Sequence, residues 1–184
     1  MKRILLLLSL VTIAGCTNAQ KTDAKNGDSA KTAAVKVAET PDKPQPIPPF
    51  RILTTDSVYF TPANLVKGKP VVIIYFSPDC SHCQHMMYEL KPDFAKLKKA
   101  QIVMVTWSNK YDIRGIREFK RDYDLVKYPN FTLGTEGYTM LVQKYYDVKT
   151  TPFVAIYDSK GKYFKYFSKP PKTADLLAAI LKVK

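Results

Sequence analysis

The 184-residue chain is short of glycine (7), histidine (2) and tryptophan (1), and it holds three cysteines. So little glycine, with no Gly-X-Y period, excludes a collagen-like chain. No glycines are grouped as a phosphate-cradling or dinucleotide-binding loop requires. No apolar run approaches the ~20 residues of a membrane-spanning helix, and no segment repeats. Carboxylates are scarce as well, 16 Asp and Glu against 29 Lys and Arg, a formal net charge of +13. Such an excess admits nucleic acid or an anionic membrane surface as partner. With 46% hydrophobic and 24% charged residues, a wholly disordered chain and a coiled-coil rod are excluded. The length suits one domain with extensions.

The N-terminus has the order of an export segment. Met1-Lys2-Arg3 is followed by an apolar run from Ile4 to Ala14 and then by Gly15-Cys16. Ile13-Ala14-Gly15-Cys16 resembles the lipobox of bacterial lipoproteins. The resemblance implies removal of residues 1–15 and acylation of Cys16, which would fix the chain to a lipid bilayer. It also accounts for the odd cysteine of an exported chain. Thr17 stands where, in such lipoproteins, an aspartate favours inner-membrane retention, so the outer membrane is slightly favoured. The expected location is the cell envelope, lipid-anchored and facing the periplasm. Export removes most of the case for nucleic acid, and the basic balance then reads as a solvated surface near anionic lipid. Residues 16–49 are rich in Lys and Ala and end in Pro41, Pro44, Pro46, Pro48 and Pro49. With almost no large apolar side chain before Ile47, this stretch reads as a disordered tether, flexible first and stiffer towards its prolines.

Residues 50–184 alternate strand and helix patterns. Val71–Phe76 is a β-branched run suited to a strand buried on both faces. Cys83, Met86, Met87, Leu90, Phe94 and Leu97 form one helical stripe. Ile102–Trp107 reads as a second buried strand and Asp112–Tyr123 as a helix with Ile113, Ile116 and Phe119 inward. Tyr138, Leu141, Val142 and Tyr145 mark another helix. Phe153–Tyr157 and Tyr163–Phe167 flank Asp158-Ser159-Lys160-Gly161 and predict an antiparallel hairpin. A last helix starts at Thr173, read as its N-cap, with Leu176, Leu177, Ile180 and Leu181 inward. Phe50–Phe60 suggests a short N-terminal β-hairpin turning at Thr54–Ser57. The order β-α-β-α-(α)-β-β-α predicts an α/β fold with a mixed central sheet and helices on both faces.

The chemistry concentrates at Cys80-Ser81-His82-Cys83, between the first buried strand and the first long helix. Cys80 falls at a helix N-terminus, where unpaired N–H groups and the dipole favour the thiolate. Cys83 lies one turn on, within reach of it. One thiolate can attack a disulfide and its neighbour can resolve the mixed product. Three other readings compete. A structural staple across so short a loop constrains the unfolded chain least. A metal site could draw on Cys80, His82, Cys83 and His85, but four ligands within six positions converge poorly. Two buried free thiols fit an oxidising compartment badly.

On these residues, and on Lys149-Thr150-Thr151-Pro152-Phe153 further along, the region from about Phe50 to Lys184 resembles the thioredoxin superfamily. Within it the chain is similar to the membrane-tethered TlpA/ResA-like thiol-disulfide oxidoreductases. The resemblance implies a thioredoxin-like fold, Cys80 as nucleophile, Cys83 as resolving thiol, and a cis-proline at Pro152 beside them. Thr151 and Pro152 would then present an extended substrate strand. It further implies no metal or organic cofactor, exported thiol or disulfide proteins as substrates, and a membrane or periplasmic electron donor. The departures from the family fall at the tuning positions. Asp79 replaces a common tryptophan and opposes the thiolate, whereas Ser81-His82 replaces Gly-Pro and is similar to the DsbA-like oxidants. Ile74 stands where thioredoxins place a buried acid, and Met86 where many reductase-like relatives carry a glutamate. His85 and Glu89 are candidates for moving the Cys83 proton. Ile73 and Ser77 depart from the peroxide-reducing relatives. The alternative is a metallochaperone-type module that binds metal through Cys80, Cys83 and a histidine.

Overall fold

The computed structural model describes residues 46–109 and 112–184. The export segment 1–15, Cys16 and the rest of the tether up to residue 45 lie outside them. Seven strands form one sheet: β1 (Ile52–Thr54), β2 (Tyr59–Phe60), β3 (Val71–Tyr75), β4 (Gln101–Thr106), β5 (Phe131–Thr135), β6 (Phe153–Tyr157) and β7 (Tyr163–Phe167). Their order is β2-β1-β5-β4-β3-β6-β7. β3, β4 and β5 pair in parallel, and the remaining pairs are antiparallel. Every residue of β3 and β6 is buried, as continuous apolar runs require at the middle of a two-sided sheet. The N-terminal hairpin and the β6–β7 hairpin form where the turn residues predict them. Gly161 takes φ +75 in the second turn, and Asp158 Oδ1 accepts the N–H groups of Lys160 and Lys162.

Among the described residues four α-helices cover the sheet: α1 (Ser81–Leu90), α2 (Arg114–Asp122), α3 (Leu141–Tyr145) and α4 (Thr173–Lys182). One face packs Val72, Ile74, Met104 and Leu133 against apolar residues of α1, α2 and α4. The other packs Ile73, Tyr75, Val103 and Val105 against Val142 of α3 and against Phe50 and Ile47 of the N-terminal segment. The mixed sheet with helices on both faces therefore stands, with one face much more heavily covered. Among the described residues no helix is long and apolar enough to cross a membrane.

Four details differ from the sequence reading. β5 was absent from the expected element order, yet it is a full parallel member beside β4. The stripe from Cys83 to Leu97 is not one α-helix. Pro92 has no N–H to continue the ladder, and Lys91–Lys99 tightens into a 3₁₀ segment that still buries Phe94 and Leu97. Tyr138 is 55% exposed in a 3₁₀ turn (Gly137–Thr139) ahead of α3, rather than on its buried face. In α4 the N-cap is Lys172, not Thr173, and Leu181 faces solvent while Ala179 takes an inward position.

Candidate active site

β3 ends at Tyr75, and Phe76 continues its pairing by donating its N–H to Val105. The chain then turns through Ser77–Asp79, held by the Cys80 N–H on the Ser77 carbonyl and by the Gln84 side chain on the Pro78 carbonyl at 2.7 Å. Cys80 is the N-cap of α1. Its backbone is extended, and its carbonyl accepts the first helical bond from the Gln84 N–H. Its sulfur therefore sits over the open N–H groups of the first turn.

Both cysteines are free thiols. Cys83 is fully buried among Phe76, Met87 and the rest of that face, while Cys80 is partly exposed. The two titrate in opposite directions. Partial burial pushes the Cys80 thiol up. The Thr151 hydroxyl, the Cys83 thiol and the backbone N–H groups of Cys83 and His82 outweigh it, and the net shift is downward. Burial pushes Cys83 up to about 12, and the adjacent Cys80 sulfur adds to the rise. The Ser77 N–H and the Thr151 hydroxyl only partly oppose this. At neutral pH the pair is thus one activated sulfur and one protonated sulfur in contact.

Thr151 and Pro152 lie just before β6, the antiparallel neighbour of β3, where Phe153 pairs with Tyr75, and the bond between them is cis. The Cys80 thiol reaches the Thr151 carbonyl at 3.5 Å. That carbonyl can serve only the protonated sulfur; the hydroxyl of the same residue serves the anion. The fold thus brings Cys80 and Cys83 together with Thr151 and Pro152, Thr151 lying 71 positions after Cys80 in sequence. Asp79, Ser81 and His82 surround the pair as exposed side chains.

His85 and Glu89 point outward on α1. His85 Nε2 meets Glu89 Oε1 at 3.2 Å, and Glu89 also accepts from the Thr173 hydroxyl. Neither lies on the buried side of Cys83. Ile74 shares the face of Cys83, so no carboxylate occupies that position. The buried carboxylate is instead Glu136, at the end of β5. It accepts the Val142 N–H at 2.7 Å and pushes the Tyr75 hydroxyl upward together with that residue's burial. Sequence reasoning missed it because a lone Glu between a short strand and a turn carries no pattern. The Ser77 N–H was missed for a different reason: a backbone donor leaves no trace in residue type. Among the described residues no three His, Cys, Asp or Glu side chains gather as a metal site would require.

No family model matches this sequence, and neither does any curated protein. Solved structures do. A secreted disulfide oxidoreductase of Mycobacterium tuberculosis, homologous to E. coli DsbE, superposes with a TM-score of 0.60 at 21% identity, covering 72% of this chain and 94% of that one. A thiol:disulfide interchange protein of the thioredoxin family from Chlorobium tepidum gives 0.56 at 18% identity, covering 75% and 94%. The exposed lipoprotein thioredoxin of Streptococcus pneumoniae gives 0.54 at 18% identity, covering 73% and 98%. The fold is thioredoxin-like.

Proposed function

We propose that this thioredoxin-like domain is a thiol-disulfide oxidoreductase acting on exported proteins, anchored to the envelope membrane through acylated Cys16. The observation that carries the exchange chemistry is the opposed pair of sulfurs at the start of α1, one favoured as anion and one held protonated, beside the cis-Thr151–Pro152 bond. The thiolate of Cys80 attacks one sulfur of a substrate disulfide, and the other leaves as a thiolate that takes up a proton. Cys83 then gives up its proton and attacks Cys80 Sγ. The Cys80–Cys83 disulfide forms, and the substrate departs with two thiols, having gained two electrons and two protons. Run backwards, the same steps oxidise a dithiol. A membrane or periplasmic thiol donor or acceptor resets the pair, and its potential against glutathione assigns the direction. Asp79, Ser81 and His82 stand where their charge and polarity reach an incoming substrate and tune that potential.

Anchoring rests on the lipobox-like Ile13–Cys16, and it places the domain on the periplasmic side of the cell envelope, with the outer membrane slightly favoured. The metallochaperone alternative would need a histidine turned towards the sulfurs, whereas His82 and His85 are both exposed and Glu89 holds His85. The test is capture. A Cys83→Ser variant expressed in the native envelope should accumulate mixed disulfides through Cys80, and a Cys80→Ser variant should not. On the isolated chain, iodoacetamide should alkylate Cys80 at a pH below that of a free thiol while Cys83 stays unreactive. Equal reactivity of the two sulfurs, together with an empty trap, would sink the exchange reading.

A further inference from the structure

The sheet has two rims. Val71, Gln101 and Tyr157 lie abreast at one of them, with Phe131 beside Ile102. Tyr75, Val105 and Phe153 lie abreast at the other, which leads to Cys80 and Pro152. Five residues of strand separate the rims by about 15 Å. The rim away from the cysteines is where lysine collects. Lys67 and Lys69 stand in the loop entering β3, Lys98 and Lys99 end the segment entering β4, and Lys127 ends the turn entering β5; all are exposed. The carboxylates nearby are Asp124, spanned by Lys91 and Lys127, Asp158, whose Oδ1 is taken by backbone N–H groups, and Asp56, which edges a hollow with Val126 and faces Lys120 at 3.8 Å. At the opposite rim Asp79 and Glu118 edge a hollow beside the Cys80 loop.

Two further features share the lysine rim. Val66 and Val126 project from it at 55% and 71% exposure, each immediately before a lysine. Val66 is held out by design of the loop: the Gln101 side chain accepts its N–H at 2.6 Å and donates to its carbonyl at 2.9 Å. Between the loops a hollow of about 570 Å³ is edged by Lys69, Lys98 and Lys127. The chain from the tether also arrives on this side. Tyr145 and Tyr157 donate to the Pro46 carbonyl, and Ile47 lies against Gly161 in the β6–β7 turn, next to the exposed Lys160 and Lys162.

We propose that this rim docks on an anionic phospholipid surface, with Val66 and Val126 entering the headgroup layer and the surrounding lysines on lipid phosphates. The charge complementarity and the position of Pro46 and Ile47 on this side select this occupant. Apolar side chains flanked by lysines suit an interface where one is buried shallowly and the other reaches phosphate. The consequence is orientation: the cysteines face away from the bilayer, towards soluble substrates. This proposal rests on the reading that the chain is membrane-anchored, and the experiment separates the two.

The full chain is purified from membranes and reconstituted with vesicles of phosphatidylcholine alone or with about a quarter phosphatidylglycerol, each also made with brominated acyl chains. A W107F background removes the single tryptophan, and V66W or V126W supplies a reporter at an already exposed position. Flotation with neutral vesicles reads the acyl anchor. Quenching by brominated lipid at saturating vesicle concentration reads docking, whether or not the neutral vesicles hold the chain. The expected result is strong quenching of both reporters on anionic vesicles, reversed by high salt and weak on neutral ones. The docked population should fall about fivefold for each lysine removed, so K67E with K69E should abolish the quenching. Reporters that remain unquenched on anionic vesicles overturn the proposal, and so does quenching that is equal on neutral vesicles.

Discussion

A single residue, Thr151, offers both its carbonyl and its hydroxyl to the Cys80 sulfur. The carbonyl receives the thiol, the hydroxyl supports the thiolate, and proton loss from Cys80 exchanges one for the other. Thr151→Val keeps the shape and the carbonyl and removes only the donor to the anion. A hydrogen bond to a charged group is strong enough that alkylation of Cys80 at neutral pH should slow by about tenfold, with no loss of folded protein. An unchanged rate would mean that the N–H groups of His82 and Cys83 suffice. The sequence made Thr151 legible only as the residue before a proline in a familiar motif. That its hydroxyl lies against both sulfurs depends on the packing of β6 against α1. That residues 79, 81 and 82 border the pair as exposed side chains was legible because adjacency to Cys80 is local information.

Elements were legible where periodicity is long. β3, β6, β7 and α2 have apolar patterns that no alternative explains. β5 escaped because Phe131-Thr132-Leu133-Gly134-Thr135 is five residues whose threonines and glycine leave no apolar pattern to mark a strand. The glycine is there for a reason that lies about eighty residues away. β1 pairs with β5 at this point, and a Cβ on Gly134 would come within 2.8 Å of the Leu53 carbonyl and 3.0 Å of the Ile52 side chain. Backbone at such a distance cannot yield without moving the strand. Gly134→Ala should therefore destabilise the domain by about 1–3 kcal/mol, seen as a lower urea midpoint with the m-value unchanged. Stability at the wild-type level would show that β1 is loosely attached and adapts. The Pro92 transition is the converse case. The residue was visible, but whether a proline bends, breaks or tightens a helix depends on what Phe94 and Leu97 must reach.

At the scale of the molecule, the two thiols couple the redox state to folding, and the sign changes with pH. Cys80 has a lowered pKa in the fold. Between that value and its ordinary value near 9 the unfolded chain holds more protons, and reduced-state stability rises with pH. Cys83 has a raised pKa, about 12 against 9. Its contribution is complete below pH 9 and is lost as pH climbs towards 12, because there the folded chain holds the extra proton. The tyrosines and lysines that also titrate in that range are present in both redox states, and the difference between reduced and oxidised stability cancels them to first order. That difference should increase with pH up to about 9, pass through a maximum, and fall above it with a slope approaching 1.4 kcal/mol per pH unit. Urea unfolding of the dithiol and disulfide forms in parallel across this range measures it. A difference that rises monotonically to pH 11 would place Cys83 in contact with water and remove the burial that keeps its thiol protonated.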